Sequence, residues 1–147
     1  MVASNVIRLP RIRIYGAEAS SSIRWELKDA AAFYLDRIVI PKKLKDITIT
    51  SRELKDNWGD IVQLRGGCSY TIRIDNTLRI DNMLRVLAHE MIHLKQFVYG
   101  ELSFDSRYTY WRGKRLPNNI SYEKAPWEHE AAVGEWEWFR HYQDRNS

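Results

Sequence analysis

The chain has 147 residues, a formal net charge of +4 and a single cysteine, Cys68. This length favours one domain over residues 1–147, and the lone cysteine excludes an intramolecular disulfide and a cysteine-rich zinc ribbon. No stretch approaches the ~20 apolar residues of a membrane span and no signal peptide is evident, so we expect a cytoplasmic protein without membrane contacts.

The first half of the chain contains alternating strand patterns and one helix. Arg11–Tyr15 alternates polar and apolar residues, which predicts a strand or an ordered arm within a basic segment, residues 1–19. Serines at 20–22 are expected to cap a helix that ends near Arg37, before Pro41. Further strands are predicted over 46–50, 61–65 and 70–75, the last two forming a hairpin around the Gly66-Gly67 turn.

The last third of the chain is rich in aromatic residues. Residues 101–124 show little periodicity, which predicts a loop layer with a short strand near Trp111. Pro126 suits the first turn of a final helix. The buried face of that helix is expected to comprise Trp127, Ala131, Trp138 and Tyr142.

The segment H-E-x-x-H at positions 89–93 carries the strongest functional signal. It lies in an apolar, helix-periodic run over residues 83–98, which we expect Asp81 to cap and Gly100 to end. Residues four apart share one face of a helix, so His89 and His93 can bind the same metal ion. The pattern predicts one zinc ion per chain, with Glu90 as the general base that accepts a proton from zinc-bound water.

A catalytic zinc site usually has a third protein ligand. The metzincin extension would require glycine at 96 and histidine at 99; this chain has Gln96 and Tyr99, so that class is excluded. The remaining candidates, Glu128, His129 and Glu130, are consecutive at the start of the last helix. Consecutive helical residues point about 100° apart, so only one of them can face the metal, and the residues alone leave all three open.

The H-E-x-x-H helix, W-R-G at 111–113 and P-W-E-x-E-A at 126–131 together resemble the compact SprT-like zincin peptidases of phage and prokaryotic genomes. The resemblance covers roughly residues 45–135. It implies an α+β zincin fold: a small mixed sheet, with an edge strand lining the cleft, packed on the H-E-x-x-H helix, an N-terminal helix and a C-terminal helix. It also implies a gluzincin-like site with Glu128 as third ligand, although the third histidine of Spartan-type members keeps His129 open.

The predicted activity is hydrolysis of a peptide bond in a protein or peptide substrate. Tyr122, Tyr110 and Arg112 are candidates, by position alone, for the donor that stabilises the oxyanion. The strand over 70–75 is a candidate for pairing with an extended substrate.

Two other functions are compatible with the sequence. One is a SprT- or Spartan-like protease or binder associated with nucleic acid; the other is a non-catalytic, zinc-stabilised structural protein of phage type. The basic charge supports nucleic-acid binding only weakly, because neither an aromatic RNA-binding signature nor a zinc-finger spacing accompanies it.

Overall fold

The computed structural model of the chain describes residues 10–16, 20–39 and 44–146. Its elements in chain order are β1 (Arg11–Tyr15), α1 (Ser21–Ile38), β2 (Asp46–Arg52), β3 (Gly59–Gln63), β4 (Ser69–Asp75), α2 (Ile80–Val98), β5 (Leu102–Phe104), β6 (Tyr108–Trp111), β7 (Lys114–Pro117), a 3₁₀ turn (Tyr122–Lys124), α3 (Pro126–Gln143) and a second 3₁₀ turn (Asp144–Asn146). The predicted arm before β1 and the helix-ending Pro41 lie outside the described residues.

The larger sheet has four strands in the order β1-β2-β4-β3. The first three are parallel, and β3 pairs antiparallel with β4 as the predicted hairpin. Helix α1 forms the long crossover that parallel strands β1 and β2 require. Residues of β2 and β4 alternate between buried and half-buried positions, so one face of this sheet carries the core.

Strand β4 is an interior strand of this sheet. It pairs with β2 on one side and with β3 on the other. The prediction that residues 70–75 pair with a substrate is therefore wrong, because both edges of β4 already have hydrogen-bonding partners. Strand β3 is the edge strand on this side of the sheet.

Helix α2 packs against both α1 and α3, and 11 of its 19 residues are buried. The buried hydroxyl of Tyr34 on α1 donates to the Leu84 carbonyl at 3.1 Å, which ties α1 to α2. Asp81 lies in the first turn of α2 rather than at the cap, which is Arg79, so the predicted cap position is wrong by two residues.

The end of α2 is closed by a Schellman motif. Gly100 has φ +70°, and its N–H donates to the Phe97 carbonyl at 3.0 Å, while the N–H of Glu101 donates to the Gln96 carbonyl at 2.8 Å. A residue with positive φ is needed at this position, and glycine adopts that conformation without steric cost. The chain then leads directly into β5.

Residues 102–117 form a second sheet of three antiparallel strands, β5-β6-β7, where a loop layer with a short strand near Trp111 was expected. Strand β6 confirms the strand at Trp111, whereas β5 and β7 were not predicted. Arg112 and Gly113 both have positive φ, 48° and 81°, as the two central residues of a type I′ hairpin turn do. The strands have only three or four residues each, so their sequences show too little alternation to predict a sheet. A small apolar cluster of Leu102, Trp111, Ala125 and Trp127 joins this sheet to the start of α3.

The α+β class is confirmed, with helices packed on a small mixed sheet. On α3, Trp127, Ala131 and Tyr142 are buried as predicted, and Trp138 is half-buried against the main core. Among the described residues, no helix combines the length and apolar character that crossing a membrane requires.

Candidate metal centre

Helix α2 brings His89, Glu90 and His93 together. The two imidazole rings lie one turn apart with centroids separated by 4.9 Å. One potential ligand atom from each of the three residues lies within 4.8 Å of the others. His93 and Glu90 are buried and His89 is half-buried, because the helix packs its apolar stripe inward and presents this face at the border of the core.

Helix α3 adds Glu128, whose carboxylate meets both histidines. Its Oε2 lies 3.2 Å from His89 Nε2 and its Oε1 lies 3.1 Å from His93 Nε2. Ligand atoms around a tetrahedral zinc, with bonds of about 2.0–2.2 Å, are roughly 3.3–3.5 Å apart. The two Glu128 oxygens lie at hydrogen-bonding distance from the two nitrogens, slightly closer than two ligands of one tetrahedral zinc, and two imidazoles with one carboxylate are a donor set that suits zinc.

The outer nitrogen of each imidazole also has a partner. His89 Nδ1 lies 3.1 Å from Glu135 Oε1, and His93 Nδ1 lies 2.8 Å from Gln96 Oε1. An acceptor at Nδ1 holds a proton there, so Nε2, the nitrogen facing Glu128, is the one that would bind a metal, in exchange for the proton that it donates to the carboxylate. Each ring is thus oriented as metal-bound histidines are.

Electrostatic coupling links Glu128 to both rings. Burial would lower the pKa of His89, but hydrogen bonds to Glu128 and Glu135 raise it to about 10. The pKa of His93 is raised in the same way, against burial, by its hydrogen bond to Glu128. Burial would raise the pKa of Glu128, but the two imidazoles lower it to about 2. Glu128 is therefore an anion across the ordinary pH range, as a carboxylate ligand must be.

The other two candidates for the third ligand have different partners. Glu130 Oε1 accepts hydrogen bonds from Lys95 Nζ and Gln96 Nε2, each at 3.1 Å, and its Oε2 binds Arg112. His129 is exposed and its Nε2 contacts the Glu123 carbonyl. The fold brings Glu128 to the histidines and turns Glu130 toward the cations beside the second sheet.

Glu90 is 4% exposed, and burial raises its pKa to about 7. The edge strand β3 passes close to it at Gly59. A Cβ atom on Gly59 would lie 2.4 Å from Val86 Cγ1, 3.0 Å from the Arg73 carbonyl and 3.7 Å from Glu90 Cγ. Glycine at this position therefore allows the edge strand to reach the metal-centre face of α2.

A cleft of about 720 Å³ surrounds these groups. One side of the cleft is lined by edge strand β3 and the segment before it, together with α2. The rest of the lining comes from β5, the 3₁₀ turn at Tyr122–Lys124 and α3. The apolar and aromatic members of this lining are Trp58, Ile61, Val86, Phe97, Leu102, Phe104, Tyr122 and Trp127.

The structure separates the three predicted oxyanion donors. Tyr122 has an exposed side chain that lines the cleft, and desolvation of its hydroxyl together with the neighbouring Glu128 carboxylate raises its pKa to about 12. The Tyr110 hydroxyl instead donates to Asp105 Oδ2 at 2.7 Å, and Arg112 binds Glu101 and Glu130. Neither Tyr110 nor Arg112 is part of the cleft lining formed by the described residues.

The sequence did not identify Gln96 or Glu135 as residues of the site. Position 96 served only to exclude the metzincins, and Glu135 was not a candidate. Weak signals for both exist. Gln96 is a polar residue three positions after His93, so it lies one turn along the same helix face. Glu135 lies seven positions after Glu128, which places both carboxylates on one side of α3.

Comparison with known proteins identifies no family for this chain. No protein-family profile matches the chain, and neither a curated protein nor a solved structure matches it. The resemblance to SprT-like peptidases therefore stays a prediction.

Proposed function

We propose that this protein is a zinc metallopeptidase that cleaves internal peptide bonds, with the zincin fold and gluzincin-like site that its motifs suggest. The observation that carries the proposal is the contact of the Glu128 carboxylate with Nε2 of both His89 and His93. These three residues and Glu90 all line one open cleft. An accessible site with three protein ligands is typical of catalytic zinc, whereas structural zinc is usually enclosed by four.

Each residue of the site has a distinct role in this proposal. His89, His93 and Glu128 hold one zinc ion per chain, which when bound acts as a Lewis acid and makes water more acidic. Glu90 accepts a proton from the attacking water and delivers it to the leaving nitrogen. The Tyr122 hydroxyl, which stays protonated at neutral pH, donates a hydrogen bond to the developing oxyanion.

The cleft is suited to an extended polypeptide. Edge strand β3 lines it through Gly59, Asp60 and Ile61, and pairs on its other side with β4. A substrate in extended conformation can add to such an edge through main-chain hydrogen bonds, which are independent of side-chain identity. Phe97 of α2 and the exposed ring of Phe104 of β5 provide apolar surface for a substrate side chain.

The test measures bound zinc and cleavage of an unfolded protein substrate by the wild type and by Glu90→Gln. We expect one zinc per chain in both, and cleavage at least ~100-fold slower in the variant. Glu137→Gln makes the same change at an exposed position of α3 and is the matched control.

Three results would contradict this proposal in different ways. Absence of zinc from the wild type under zinc-replete conditions would overturn it. Full activity of Glu90→Gln would overturn the assignment of the base. Zinc whose removal unfolds a chain that cleaves no substrate would favour the structural alternative.

A further inference from the structure

Gln96 is the most completely enclosed polar residue beside the metal centre, with 0% exposure. It lies on α2, three residues after His93. Its Oε1 is 2.8 Å from His93 Nδ1, and its Nε2 is 3.0 Å from the Trp127 carbonyl and 3.1 Å from Glu130 Oε1. Each hydrogen atom of the amide therefore has its own acceptor.

These contacts allow only one orientation of the amide. The Trp127 carbonyl and the Glu130 carboxylate accept hydrogen bonds, so the NH₂ group must face them. The amide oxygen must then face His93, where it can only accept a hydrogen bond from Nδ1–H. The amide thereby selects the Nδ1–H form of His93 and leaves Nε2 available to a metal.

The same amide also reaches the helix that carries Glu128. Trp127, whose carbonyl it binds, directly precedes Glu128 in the first turn of α3. This turn has no side-chain cap, because the cap position is Ala125 and Pro126 follows it. One side chain therefore contacts a predicted ligand on α2 and the backbone adjacent to another on α3.

We infer that Gln96 is a positioning residue of the metal centre, which holds His93 in its metal-binding form and holds the start of α3 at the distance that lets Glu128 complete the site. This inference rests on the proposed zinc site. It assigns no contact between Gln96 and the metal or the substrate. Outer partners of metal-bound histidines typically contribute about 10- to 100-fold to metal affinity.

The first test is the zinc affinity of purified full-length protein, measured by competition with a chromophoric chelator. We expect Gln96→Leu to bind zinc about 10- to 100-fold more weakly than the wild type while still reaching one zinc per chain. Lys95→Met is the matched control, because Lys95 donates to the same Glu130 oxygen at 3.1 Å but has no bond to His93. It should bind zinc with near wild-type affinity.

A rescue variant separates positioning from packing. Gln96→Glu combined with Glu130→Gln keeps an acceptor at His93 Nδ1 and puts an amide donor where the carboxylate stood. We expect this double variant to recover part of the zinc affinity that Gln96→Leu loses, because the acceptor at His93 Nδ1 returns while the bond to the Trp127 carbonyl does not. A purely structural role would predict no recovery, since the double variant leaves the Trp127 carbonyl without its donor.

The second test needs no variant. In the zinc-loaded wild type with ¹⁵N-labelled histidine, NMR should show His93 coordinated through Nε2 and carrying a proton on Nδ1. Coordination through Nδ1 would overturn the inference, as would wild-type zinc affinity in Gln96→Leu or an equal loss in Lys95→Met. Absence of zinc binding by the wild type would overturn both the inference and the proposed function, whereas unchanged affinity in Gln96→Leu would overturn the inference alone.

Discussion

The two ends of the metal centre hold their histidines by different means. At the outer end, His89 Nδ1 meets the Glu135 carboxylate, which pairs with Arg85 Nε at 3.1 Å, and Arg85 lies over the exposed ring of Trp136. At the inner end, His93 Nδ1 meets the neutral amide of Gln96. Side-chain exposure is 15% for His89 and 7% for His93.

This difference follows the cost of burying charge. A carboxylate is tolerated at the outer end because Arg85 compensates it and solvent is near. At the inner end, Glu90 and Glu128 already place two carboxylates near His93, and a third in the enclosed position 96 would add repulsion and desolvation. An amide supplies the same acceptor without the charge.

Glu128 is common to both ends, so its removal should have the largest effect. Glu128→Ala takes away one proposed ligand and leaves the two imidazoles without the group that their Nε2 atoms face. We expect zinc affinity to fall by more than the ~100-fold that losing an outer partner can cause. Glu130→Ala is the control. An equal loss of zinc affinity in that variant would show that the assignment of Glu128 as the third ligand is wrong.

Tyr122→Phe tests the substrate side of the centre without touching either histidine. Loss of an oxyanion donor typically lowers kcat about 10²- to 10³-fold. Zinc affinity should change little, because the hydroxyl contacts Glu128 but is not a ligand in this proposal. Steady-state kinetics and zinc titration on the same preparation separate the two effects, and an unaltered kcat would exclude Tyr122 from the reaction.

Glu135→Leu breaks the outer end alone and is the counterpart of Gln96→Leu. It removes the acceptor at His89 Nδ1 and leaves Arg85 without its carboxylate. We expect a loss of zinc affinity of about 10-fold, at the lower limit for outer partners, because solvent at this end can replace part of the interaction. The chelator assay measures it, and a larger loss than that of Gln96→Leu would reverse the ranking of the two ends.

Asp75 provides a reference outside the metal centre. Its Oδ1 accepts hydrogen bonds from the N–H and hydroxyl of Thr77 at 2.8 and 2.6 Å, and its Oδ2 accepts from the Leu54 N–H at 3.2 Å. Asp75→Asn replaces one carboxylate oxygen with an NH₂ group. That group would face Thr77 or the Leu54 N–H, which are themselves donors, so at least one hydrogen bond would be lost. We expect about 1–3 kcal/mol less stability at pH 7, measured by urea unfolding, with zinc affinity unchanged.

The pH dependence of this loss has a definite sign. The hydrogen bonds from Thr77 lower the pKa of Asp75 below its ordinary value. Its contribution is therefore complete above pH ~4, the range of an unfolded aspartate, and declines as the pH falls through the lowered pKa. The stability difference between wild type and Asp75→Asn should shrink in acid, and a difference that grows there would contradict the assignment.

Salt should have the smallest effect and should distinguish the two ends. The Arg85–Glu135 pair is partly exposed, so salt weakens it, whereas the enclosed bonds of Gln96 are screened little. Raising ionic strength should therefore lower the zinc affinity of the wild type a few-fold more than that of Glu135→Leu. Equal salt dependence of the two proteins would show that the outer ion pair does not support His89.

Local pattern alone was sufficient for much of this protein. Helix α2 and its three site residues follow from one apolar periodicity and one motif, because residues four apart on a helix are neighbours whatever surrounds them. The hairpin of β3 and β4 follows from alternation around a glycine turn. The second sheet did not follow, because its strands are too short to show a period.

The choice of Glu128 over its neighbours was decided by tertiary packing. The rotation of α3 against α2 determines which of three consecutive residues faces the histidines. Burial of Trp127 in the small apolar cluster sets this rotation at the start of α3, and Gly134 sets it further along, where an added Cβ would lie 2.5 Å from Ile92 Cδ1. The bond of Glu135 to His89 has the same origin, because it joins residues on two helices and sequence spacing does not encode the angle at which two helices pack. The bond of Gln96 to His93 lies within α2, but the Trp127 carbonyl and Glu130 of α3 orient the amide that makes it.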